Sequence, residues 1–167
     1  MRQLLSNGAM ILAGMVSVPA IVTTVDAQLP PKPSLPAVGF KADPRLPLLE
    51  RFFEISDAPA KAFSHVFLRE ADLYALDWRL LPSISFVETT GGKAARNNNL
   101  FGWDCGRAEF PSMSAGIRTV AYNLANSRQY KDKALDDLLW AYNPNPEYSR
   151  KVKSVMSRIA PSEIRAE

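Results

Sequence analysis

Histidine and cysteine each occur once in the 167 residues, as His65 and Cys105. One histidine removes Ser–His–Asp triads and multi-histidine metal sites from consideration. His65 falls mid-helix between Phe63 and Phe67 and reads as structural. One cysteine excludes a disulfide within the chain and leaves only pairing between chains; a buried or unreactive thiol is the expected state. Net charge is scarce too. The formal value is +3, too small for a nucleic-acid footprint, although a mildly basic chain suits an anionic polymer. No CxxC, GxGxxG or Walker-type phosphate loop is present. The uncharged apolar stretch at residues 9–22 is shorter than the roughly 20 residues a membrane-spanning helix requires.

What that stretch does resemble is an export signal. Arg2 supplies a positive start, the apolar segment follows, and Val25, Asp26 and Ala27 offer small or modest residues before a cut ahead of Gln28. Residues 1–27 are therefore expected to be a signal peptide, and the chain to be exported, to a periplasmic or extracellular space. No stable membrane insertion is expected after cleavage. The remainder, about 140 residues, suits one domain with one core. Its first part, residues 28–46, carries Pro30, Pro31, Pro33, Pro36 and Pro44 and reads as a semi-rigid tether. Residues 47–162 are assigned to the domain and 163–167 to a tail.

Within the domain the apolar spacing is helical. Leu48, Leu49, Phe52 and Phe53 form one face, with Pro47 suited to a helix start. Asp57 is placed to cap the next helix, which carries Phe63, Val66, Phe67, Ala71, Leu73 and Tyr74. Pro82 opens a third with Leu81, Ile84 and Val87, stopped by Gly91 and Gly92. Residues 93–111 read as a polar loop holding at most a short hairpin. Helices resume over 114–125, 133–142 and 146–159. The expected fold is mainly α, with about six helices around one core.

Glu88 lies near the C-terminal end of the third helix. A carboxyl backed there by Ile84 or Phe86 is partly desolvated, which raises its pKa toward the range a general acid requires. The partial negative charge of the helix end acts in the same direction. Spacing alone favours the plainer reading, an exposed glutamate beside a helix-ending turn.

The motifs around Glu88 carry a resemblance. Leu81-Pro82-Ser83-Ile84-Ser85, followed by Glu88-Thr89 and Gly91-Gly92-Lys93, resembles the catalytic-helix signature of the lysozyme superfamily. Asn98-Asn99-Leu100-Phe101-Gly102-Trp103 looks like the Asn-Asn-x-Phe-Gly motif of its endo-β-N-acetylglucosaminidase branch, which contains autolysins and flagellar peptidoglycan hydrolases. Ala141-Tyr142-Asn143-Pro144, then Pro146-x-Tyr148 and Lys151-Val152, is similar to that branch's closing motif. The resemblance implies a lysozyme-like helical fold and cleavage of the β-1,4 amino-sugar backbone of peptidoglycan, with Glu88 as general acid and no cofactor or metal. Peptidoglycan strands would be the partner, with room for an envelope-complex partner. Tyr142 would line the cleft beside the acid and Tyr148 would contact substrate. Phe101 and Trp103 would form the cleft wall, though both read equally as core. Asn99 is assigned to the same substrate-binding set, while Asn98 and Asn99 read first as residues that fix the loop.

Many glycosidases use two carboxyls. Asp104 is the first choice for the second, with Glu109 the other in this stretch, and both also read as solvated loop acids. The alternatives kept open are a lytic transglycosylase, which needs one glutamate, and a non-catalytic glycan-binding or scaffold protein of the same fold. The basic side of the last helix (Arg150, Lys151, Lys153, Arg158) reads as solvated surface.

Overall fold

The computed structural model describes residues 43–161. The expected signal peptide, most of the expected tether and the tail at 163–167 lie outside the described residues. Six α-helices and one short 3-10 helix make up the regular structure among them: α1 (Arg45–Ile55), the 3-10 helix (Pro59–Phe63), α2 (Ser64–Leu73), α3 (Leu80–Thr89), α4 (Met113–Asn126), α5 (Leu135–Tyr142) and α6 (Pro146–Ile159). The mainly α expectation holds. None of the described helices is long and apolar enough to cross a membrane.

Helix α1 begins at Arg45, inside the segment assigned to the tether. The cause is a local ion cluster. The Asp43 carboxylate accepts from the Arg45 backbone N–H at 2.9 Å, and the Arg45 guanidinium also reaches Asp72 of α2 at 2.7 Å. Pro47 thus sits in the first turn of α1 rather than opening it, and Pro82 takes the same place in α3, which begins at Leu80. A first-turn N–H has no intrahelical acceptor, so proline loses nothing there. Asp57 does not cap. It is exposed with φ +46°, and the 3-10 helix is instead started by the Gly91 carbonyl, which accepts from Ala60 N–H at 2.9 Å. Helix α4 is capped by Ser112, whose hydroxyl accepts from Ala115 N–H, and α6 by Asn145 ahead of Pro146.

Helix α3 is the centre of the molecule. Residues 80–85 are all buried, and its main neighbour is α6, while α2 packs on α4. Phe53, Phe67 and Phe101 run through the core as a chain of rings 5.8 and 6.4 Å apart. Burying each such side chain contributes about 1.5–3 kcal/mol. Of the two forms expected for residues 93–111, a polar loop or a small hairpin, the described residues take the loop. Residues 90–112 form a succession of turns with one bridge, Arg96 to Asn99. Cys105 is exposed on this loop, so its thiol is not buried, and His65 is exposed on α2.

Candidate active site around Glu88

Helix α3 stops because Thr90 adopts the left-handed conformation (φ +54°) and Gly91 follows with φ +62°. A side chain at Gly91 would bring a Cβ within 2.8 Å of the Ala58 methyl, so the turn requires glycine on two counts. Thr89 then ties the helix end to the loop. Its hydroxyl is 2.8 Å from the Leu100 carbonyl, to which it donates, and it accepts from Gly92 N–H at 3.0 Å. Glu88 is thereby held one residue before a fixed corner.

The loop is wound around Asn99. The Asn99 side-chain oxygen accepts from the N–H groups of Phe101 and Trp103, and its amide donates to the carbonyls of Trp103 and Ala108. Asn98 donates to the Phe110 carbonyl at 2.8 Å. Asn97 and Asn98 both take positive φ, a conformation that asparagine tolerates better than most residues. This winding carries Gly102 onto the acid: a Cβ added at Gly102 would lie 2.9 Å from Glu88 Oε2, and φ there is +58°. Backbone thus closes one side of the carboxyl.

Tyrosines lie beside the same carboxyl. Tyr142 from α5 and Tyr148 from α6 stack with ring centroids 5.8 Å apart and planes 8° from parallel. Trp103 and Tyr130 complete the aromatic group, each about 6 Å from Tyr142. Glu88 is half-buried in this setting. Burial raises its pKa above the ordinary carboxylate value, and the neighbouring Tyr148 hydroxyl partly opposes that rise. Burial and the Glu88 charge push the Tyr142 hydroxyl well up, so it remains protonated. Tyr148 and Tyr130 are raised as well, chiefly by burial.

The seven residues singled out in the sequence divide clearly. Glu88, Tyr142 and Tyr148 come together, and Trp103, half-buried, joins them through Tyr142. Phe101 does not form a cleft wall by its ring, which is 0 % exposed and packs on Phe67. What it brings to the site is its carbonyl, which accepts from the Tyr142 hydroxyl at 2.6 Å. Asn99 is 3 % exposed with both ends of its amide occupied, so it clamps the loop and is not a substrate ligand. Asp104 is exposed and its carboxylate pairs with Arg107 at 2.8 Å. Glu109 is exposed and accepts from the Asn97 amide. Neither loop acid makes a hydrogen bond or ion pair to the Glu88 group.

Gly102 and Tyr130 were missed as site residues. Gly102 falls inside the Asn98–Trp103 motif, where a glycine after a buried aromatic is the signal for close backbone approach. Tyr130 follows α4 in a polar turn with no periodicity to mark it. Among the described residues no group of three or more His, Cys, Asp or Glu side chains is placed to hold a metal ion. No family model matches the chain, and no match to a curated protein or to a solved structure was found.

Proposed function

We propose that this protein is an exported glycosidase that cleaves the β-1,4-linked amino-sugar backbone of peptidoglycan, with Glu88 as its general acid. The observation that carries the reading is the convergence of three sequence segments on one carboxyl. The Glu88 helix, the Asn98–Trp103 loop through Gly102, and the closing segment through Tyr142 and Tyr148 all meet there. These are the three segments that resemble the glucosaminidase branch of the lysozyme superfamily.

The chemistry follows from the setting. A half-buried Glu88 keeps its proton to higher pH than an exposed glutamate does, and delivers it to the glycosidic oxygen as the bond to the anomeric carbon breaks. Aromatic faces at Trp103 and Tyr142 offer surfaces on which sugar rings pack. The positive charge that develops on the sugar needs a nucleophile. Asp104 is held by Arg107, which favours a route with one protein carboxyl. The substrate's own N-acetyl oxygen serves in a substrate-assisted hydrolase, and its own 6-hydroxyl serves in a lytic transglycosylase. No cofactor enters either route.

The test is mass spectrometry of purified peptidoglycan after incubation with the full chain and with its Glu88→Gln variant. Release of muropeptides by the wild type alone supports Glu88 as the acid. Reducing N-acetylglucosamine ends then identify a glucosaminidase, reducing N-acetylmuramic acid ends a muramidase, and 1,6-anhydro ends a transglycosylase. Glycan binding without release by either protein overturns the enzymatic reading in favour of a scaffold.

A further inference from the structure

The two stacked tyrosines differ in what their hydroxyls do. Tyr142 donates to the Phe101 carbonyl at 2.6 Å, so its proton is committed to fixing the loop. Tyr148 is buried, and its hydroxyl oxygen has no partner at ordinary hydrogen-bond geometry. A buried hydroxyl left without an acceptor is unfavourable, and natural structures rarely retain one without reason. The Glu88 carboxyl lies beside it. Gly102 lies against the same carboxyl, whose terminal torsion is soft enough to turn an oxygen toward the hydroxyl.

We infer that Tyr148, not Tyr142, is the positioning residue of the acid: its hydroxyl donates to the Glu88 carboxylate and holds it in place against Gly102. This rests on the reading of Glu88 as the catalytic acid. The division of labour is specific. Tyr142 secures the loop that brings Gly102 to the site. Tyr148 accompanies the carboxylate that forms once Glu88 has given up its proton, and keeps it aimed at the same point for the next proton transfer. The titratable groups that face Glu88 are Tyr142 from α5 and Tyr148 from α6, with Tyr130 behind them. The loop contributes Gly102, which does not titrate. A hydroxyl that donates to the ionised carboxylate favours that form, so its removal raises the pH at which Glu88 loses its proton.

The experiment is carboxyl carbon NMR titration of Glu88 in the full chain, its resonance assigned by comparison with Glu88→Gln. The variants are Tyr148→Phe and Tyr142→Phe, with thermal unfolding recorded for each. The expected result is that Tyr148→Phe moves the Glu88 midpoint to higher pH, while Tyr142→Phe lowers thermal stability and moves the midpoint less. Where the wild type degrades peptidoglycan, the alkaline limb of its rate profile moves with the midpoint in Tyr148→Phe. An unchanged midpoint in Tyr148→Phe, or an equal shift in both variants, overturns the inference. Wild-type protein that cleaves nothing removes the proposed reaction, and the NMR comparison still decides whether Tyr148 holds Glu88.

Discussion

At the scale of single residues the site depends on a carboxyl partly withdrawn from water. Burial raises the Glu88 pKa above its ordinary value of 4.5, so the folded protein binds that proton more tightly than the unfolded chain does. Stability therefore falls as pH rises from the unfolded value through the folded one, because the ionised form is the one the fold disfavours. Glu88→Gln is expected to match the wild type in urea unfolding at about pH 4 and to be more stable at about pH 7. A variant less stable than wild type at neutral pH would show that the charge is well accommodated. The same shift predicts that glycan cleavage is lost on the alkaline side of the profile, as the acid loses its proton. Gly102→Ala places a methyl group 2.9 Å from Glu88 Oε2 on a backbone at φ +58°. Moving the acid by even 1 Å is expected to cost about 100-fold in kcat. Steady-state rates, with circular dichroism to verify folding, measure it.

At the scale of elements, the loop between α3 and α4 is anchored in the core by Leu100 and Phe101 and is wound around a side-chain amide. Asn99 bridges Phe101, Trp103 and Ala108 while nearly fully buried. Asn99→Ala leaves several of those backbone groups unpaired, and a loss of roughly 2–3 kcal/mol is expected in chemical unfolding. Ser112→Ala removes only the exposed cap of α4 and is expected to cost about 1 kcal/mol. If the two variants proved equally mild, the Asn99 clamp would not be what fixes the loop. The helices themselves were largely legible. The span 146–159 matches α6, and the α4 and α5 ranges differ by one or two residues at their ends, because amphipathic spacing and capping are local properties. The start of the 3-10 helix was not legible, since its first N–H is answered by Gly91, which lies 31 positions further along the chain.

At the scale of the whole molecule, core and site are one structure. The ring chain from Phe53 through Phe67 to Phe101 ends at the residue whose carbonyl holds Tyr142. Phe67→Ala is expected to cost about 3–5 kcal/mol and to release Phe101 in part. Unfolding monitored by far-UV circular dichroism should shift together with Tyr142 and Trp103 fluorescence. A large loss of stability with an unchanged fluorescence spectrum in the folded variant would separate the core from the aromatic group.

The mainly helical character, the boundaries of the later helices, and Glu88 as the carboxyl at the end of an apolar helix are all written in local sequence. Periodicity, caps and helix-stopping glycines act within a few residues of one another. Which side chains face the acid depends instead on contacts between distant segments. Phe101 and Trp103 are two positions apart in one motif, yet one ring enters the core while the other joins the tyrosines. Asp104 follows them in the same loop, and there its exposed carboxylate pairs with Arg107. Tyr142 and Tyr148 were both expected near the site, and their sequence carries no sign of which hydroxyl is already in use. That assignment depends on where the loop carbonyl of Phe101 lies, 41 positions away from Tyr142, and spacing cannot supply it.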